Sequence, residues 1–66
     1  RVTGQSIVDF INARRIEAAQ RLLETTELSI TAVAEQTGFL TAAHFRRVFR
    51  ELLGVGPLQY RKGFRK

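Results

Sequence analysis

Arg46, Arg47 and Arg50 fall within one short stretch, with Thr41, Ala42, Ala43 and His44 just before them and Phe45 and Phe49 set among them. A guanidinium is permanently charged and offers a planar fork of N–H donors, so it pairs bidentately with a phosphate or with the O6 and N7 edge of guanine. That chemistry recognises an anion or a base edge; it makes and breaks no bonds. Little else in the chain competes with it. His44 is the only histidine and there is no cysteine to join it in a metal site. The six carboxylates stand singly with no companion nucleophile, so no enzyme and no cofactor is expected.

The whole chain leans the same way. Eleven Lys and Arg against six Asp and Glu give a net charge of +5, and nine of the eleven are arginine. An excess of this kind draws an anionic partner. For any single arginine the ordinary alternative is solvation, or pairing with a nearby acid such as Glu51. Three on one helix face with only Glu51 close by favour the partner.

Sixty-six residues, 44% of them apolar, make one small domain or a piece of one. A chain of this size buries only about 60% of its unfolded surface, so the core must be thin. Without disulfides, packed helices have to supply the stability. No apolar run reaches the roughly 18 residues of a membrane span, and the N-terminus lacks a signal-peptide pattern. A soluble, cytoplasmic setting without membrane insertion is expected.

Three helical periodicities run along the chain and no strand-like alternation does, so the fold class is all-α. The first helix is expected from Ile7 to about Thr25, with Ser6 as N-cap and Asp9 close to a capping-box partner. Ile7, Val8, Ile11, Ile16, Ala18, Ala19, Leu22 and Leu23 fill one half of its wheel, which should face a core. Asn12 and Arg15 fall in the same arc and need partners that the sequence does not name. A short second helix starts after Ser29, places Ile30, Val33 and Ala34 on one face, and ends at Gly38. Thr41 caps a third helix reaching about Leu53; Gly54 and Gly56 break it, and Pro57 opens a fourth.

Two helices joined by a short glycine-containing turn form a helix-turn-helix unit, whose second helix fits the major groove of DNA. On the wheel of the third helix Phe45, Thr41, Val48, Phe49, Leu52 and Leu53 gather on the core side. Ala43, Arg46, Arg47 and Arg50 lie between about 100° and 200° from Phe45, facing outward. Ala43, Arg46 and Arg47 sit early in the helix, where base edges are within reach, and a small apolar side chain meets a thymine methyl. Arg50, one turn on, is expected at the backbone. His44 is expected to pack or to touch phosphate. Ser29 is a cap whose helix end also suits a phosphate. Arg61, Lys62, Arg65 and Lys66 add backbone attraction. A basic amphipathic module that binds an acidic protein or an anionic membrane surface is the alternative of another class.

Gly4-Gln5-Ser6-Ile7-Val8-Asp9-Phe10 and Gly54-Val55-Gly56-Pro57-Leu58-Gln59-Tyr60 share a glycine, a small residue two on, and an aromatic residue six on. Each copy ends one helix and starts the next. On that logic Arg1 to Thr3 are the stub of an earlier recognition helix, and the chain begins partway through a two-unit domain. The segments are then 1–5 as stub of the preceding unit, 6–26 as linker helix, 27–56 as helix-turn-helix, and 57–66 as short terminal helix and basic tail.

Phe10-Ile11, Arg15-Ile16, Ala19, Leu22-Leu23, Ser29-Ile30, Val33-Ala34, Gly38-Phe39, His44-Phe45, Arg47, Phe49, Gly54, Pro57 and Tyr60-Arg61 form a set spread over most of the chain. In these residues the stretch from Ser6 to Arg61 resembles the DNA-binding domain of AraC/XylS-type transcription regulators. The resemblance implies two helix-turn-helix units joined by a long helix, of which this chain is similar to the linker helix, second unit and terminal helix. It implies double-stranded DNA as partner, a bacterial transcription regulator, either activator or repressor, RNA polymerase as a further partner, and a separate sensing or dimerisation domain. It also implies that Arg47 meets a feature common to many sites, or the backbone, while the positions of Ala42, Ala43 and Arg46 vary; Arg46 is then expected to set sequence preference. Four residues depart from the pattern. Ala32 replaces an acid that would suit Arg15, Ala43 a common serine, Ile7 a proline after the cap, and Gly56 a capping Ser or Thr.

Overall fold

The computed structural model describes residues 6–64. In chain order its helices are α1 (Ile7–Thr25), α2 (Ile30–Gln36), α3 (Ala42–Leu53) and α4 (Pro57–Phe64).

Local chemistry sets where each helix begins. Ser6 Oγ accepts from the Asp9 amide at 3.1 Å while Asp9 Oδ2 accepts from the Ser6 amide at 3.4 Å, a complete capping box. Ser29 Oγ accepts from the Ala32 amide and Thr41 Oγ1 from the His44 amide, each at 3.0 Å. Each hydroxyl satisfies an amide that has no carbonyl to meet inside its own helix. Pro57, with no amide hydrogen to satisfy, opens α4.

Two glycines end helices in the left-handed region, Gly38 at φ 97° and Gly54 at φ 83°. After Gly38 the Phe39 amide donates back to the Ala34 carbonyl at 3.0 Å, which folds the chain sharply between α2 and α3. A Cβ on Gly38 would stand 3.0 Å from Arg15 Nε. Gly38→Ala is therefore expected to cost about 1 to 2 kcal/mol from its backbone conformation alone. Urea unfolding checks this, and an unchanged midpoint would show that the turn tolerates a side chain.

The core is built from Ile16, Ala19 and Leu23 of α1, Val33 and Ala34 of α2, Phe39 of the turn, and Phe45, Val48 and Phe49 of α3. Leu22, Leu28, Ile30 and Tyr60 pack around it. The aromatic side chains form a chain of tilted and edge-on contacts: Phe39 to Phe45 at 5.2 Å, Phe45 to Phe49 at 5.6 Å, and Phe49 to Tyr60 at 5.6 Å. Such geometries add to simple burial.

Three expectations from periodicity are corrected. Ile7 and Val8 are 77% and 64% exposed, and Ile11 and Ala18 are exposed as well, so of the α1 stripe only Ile16, Ala19 and Leu23 are fully buried. Two reasons apply: Ile7, Ile11 and Ala18 lie within about 40° of one another at the edge of the stripe away from Ala19, Leu23 and Ile16, and Val8 belongs to the first turns of α1, which project past the residues that α2, α3 and α4 cover. A radius of gyration of 11.9 Å, against about 11 Å for a compact chain of this length, agrees with that projection. Leu52 and Leu53 at the far end of α3 are exposed too, because Gly54 ends the helix there and α4 packs chiefly against α1. Thr41 is exposed because its hydroxyl serves as a cap and not as core.

α4 is tied to the C-terminal end of α1. The Tyr60 hydroxyl donates to Glu24 Oε2 and accepts from Gln20 Nε2 at 3.3 Å. Donation to the Glu24 carboxylate, with burial second, pushes the Tyr60 phenol above its usual value of 10, so it stays a protonated donor at neutral pH. Arg61 Nε donates to the Leu23 carbonyl at 3.0 Å and its Nη2 to the Thr26 carbonyl at 3.2 Å. Those carbonyls lie where a helix end leaves acceptors unmet, and a cation there also suits the helix dipole.

Candidate nucleic-acid interface

The α3 helix has two chemically opposite faces. Phe45, Val48 and Phe49 are buried, and Ala43, Arg46, Arg47 and Arg50 are exposed on the opposite side, as the wheel predicts. Ala42 and His44 are half-buried; the His44 ring meets Phe39 edge-on at 5.6 Å. The rings hold the helix and the guanidinium groups point outward.

Electrostatics decides what these arginines are available for. Among the described residues, none of Arg46, Arg47 and Arg50 forms an ion pair with Glu51 or with any other acid. The charge of the face is therefore uncompensated within the described part of the chain. Arg14, on the flank of α1, does pair with an acid, Glu17 at 3.8 Å, and lies over the Phe10 ring.

Arg61 and Ser29 both have structural work within the fold. Arg61, expected to add backbone attraction, closes the end of α1, with two donors committed to carbonyls. A residue near the chain end reads as tail in sequence, and only folding brings it beside residues 23 and 26. Ser29 is engaged as the α2 cap, and its hydroxyl is already bonded to Ala32. Arg65 and Lys66 lie outside the described residues, as does the proposed stub from Arg1 to Thr3.

The partner of Arg15 also becomes visible. Its Cζ lies 5.9 Å from the centre of the Phe39 ring, and its Nε sits against Gly38. With Ala32 in place of an acid, the guanidinium covers the turn through cation–π contact. It was visible in sequence only as an arginine inside an apolar arc. Leu40, 95% exposed in the turn, was not singled out by any sequence signal.

A capped helix held by its rings, presenting unpaired arginines after a left-handed glycine turn, defines a helix-turn-helix DNA-binding module. Residues 1–63 match the family model described as a helix-turn-helix domain. The chain belongs to the AraC/XylS-type family of transcription regulators. It is similar to the transcriptional activator NphR of a Rhodococcus species, with 50% identity over 48 residues covering 73% of this chain and 14% of that protein. It is 41% identical over 61 residues to the HTH-type regulator Rv1931c of Mycobacterium tuberculosis, covering 92% of this chain and 24% of that one. Among solved structures it resembles the DNA-binding domain of AdpA in complex with a target DNA, at TM-score 0.89 and 38% identity, covering 96% of this chain and 57% of that chain. The chain thus spans less than a quarter of the length of these two curated relatives.

Proposed function

We propose that this chain is the sequence-reading second unit of a bacterial transcription regulator, placing α3 in a major groove of double-stranded DNA. The observation that carries the reading is the outward face of Ala43, Arg46, Arg47 and Arg50, uncompensated by acids and fixed by the buried rings opposite. Arg46, with Ala42 and Ala43, discriminates base pairs. Arg47 meets a feature shared by many sites or the backbone. Arg50 and Lys62 meet phosphates, and Thr41, His44 and Ser29 lie toward the strand that approaches the helix ends. Arg61 acts indirectly, by holding α4 in place.

The exposed stripe of Ile7, Val8, Phe10 and Ile11 on α1 supports a two-unit domain in which an earlier unit covers those residues. In the repeat, Phe10 stands where Tyr60 stands in the second copy, and Tyr60 packs on the recognition helix of its own unit through Phe49. The whole regulator, on this reading, works in the cytoplasm, carries a separate sensing or dimerisation domain, and acts on RNA polymerase as an activator. No described helix is long and apolar enough to cross a membrane.

Titrating the chain with duplex DNA and with anionic vesicles at two salt concentrations tests the proposal. Duplex binding that weakens steeply with salt is expected, modest in strength because a single module buries only about 600 to 1,000 Å² on DNA. Tight vesicle binding without duplex binding would instead favour a basic amphipathic surface module.

A further inference from the structure

Beside the outward face of α3 lies a groove of about 500 Å³, closed on its other side by the first turns of α4. Arg46 and Arg50 form one wall, Gly56, Leu58 and Gln59 the other, with Lys62 rising from the next turn of α4. Three cations from two helices line it, and among the described residues no acid does.

We propose that this groove seats a backbone phosphate of the bound DNA, held jointly by Arg50 and Lys62; the inference rests on the DNA-binding reading above and adds to it a site and its ligand. Three observations argue for it. First, the end of the Arg50 side chain is at the groove: its Nη1 lies 4.0 Å from where a Cβ on Gly56 would stand. Glycine at that position leaves the wall low, where a serine or threonine would add atoms beside the guanidinium. Second, the opposite wall is fixed. Tyr60 is bonded to Glu24 and Gln20, and Arg61 to the carbonyls of Leu23 and Thr26, so the α4 backbone that bears Lys62 is anchored to α1. A seat made of two anchored helices loses little order on binding. Third, Arg46 belongs both to the groove wall and to the outward face, so a strand whose bases meet that face has its backbone carried along the groove. A phosphodiester fits such a seat, since a charged head on either side completes its coordination while the α3 face remains free for base edges.

The test uses backbone amide NMR of the 66-residue chain with a mixed-sequence duplex, with inorganic phosphate alone as second probe, and with the variant Arg50→Gln/Lys62→Gln. Both side chains are exposed, so the variant should keep the wild-type circular dichroism. With duplex, the amides of Leu58 and Gln59 should shift together with those of Ala43 and Arg47, and the double substitution should silence only the first pair. The salt slope of duplex binding should fall by about 0.9 in the double variant and by much less in each single one, because the remaining cation still neutralises the same phosphate. Shifts at Ala43 and Arg47 with none at Leu58 and Gln59 would overturn the seat and leave the DNA-binding reading intact. No shift anywhere with duplex would overturn both. Equal shifts of Leu58 and Gln59 with inorganic phosphate alone would make the groove a free-anion site, and a slope loss near 1.8 for the double variant would assign two separate phosphates; either result overturns the proposal as stated.

Discussion

Phe49→Ala is expected to remove a large share of the stability of the chain. Phe49 is fully buried and joins the two halves of the ring series, meeting Phe45 on α3 and Tyr60 on α4. Truncating a buried phenylalanine costs about 3 to 5 kcal/mol through lost transfer energy and the cavity left behind. A domain of 66 residues has roughly 3 to 10 kcal/mol in all. The loss falls on the contact that seats α4, so the Tyr60 and Arg61 ties to α1 go with it. Thermal unfolding followed by circular dichroism measures the effect. A midpoint within a few degrees of wild type would mean that the aromatic series is not what holds α3, since 1 kcal/mol moves the midpoint of so small a domain by about 4 to 8 °C.

The second large effect is functional and should leave stability untouched. Arg46→Ala is expected to flatten preference among duplexes, removing about 1 to 3 kcal/mol of discrimination at the base pair it reads. Lys62→Ala should weaken binding to every duplex alike, because a phosphate contact has no sequence to read. Selection from a random duplex pool, followed by competition between the best and a scrambled duplex, separates the two outcomes. Equal, sequence-independent losses from both substitutions would end this division of roles. Arg46 is exposed and unpaired, so its removal exposes no buried partner and creates no cavity.

Helix positions were legible from sequence because their signals are local. The caps at Ser6, Ser29 and Thr41 and the left-handed turns at Gly38 and Gly54 act through bonds within a few residues, and all five lie where sequence predicts. The two faces of α3 follow from a 3.6-residue period applied to rings and guanidinium groups. How far each apolar stripe is covered was not legible. Val8, Ala19 and Leu23 lie within about 60° of one another on α1, yet the first is exposed and the others are buried. Periodicity tells which way a residue points along one helix; it carries nothing about how far the neighbouring helices reach.

The candidate site divides along the same line. Sequence by itself determined that the arginines of α3 project together and that a glycine turn precedes them, because both depend on backbone geometry over a few residues. Tertiary packing alone decided that Arg15 covers Phe39, that Arg61 closes the end of α1, and that Arg50 and Lys62 border one groove. All three join residues 12 or more positions apart. Their proximity arises from the docking of whole helices, which is set by the summed burial of the core and not by any local preference of the residues concerned.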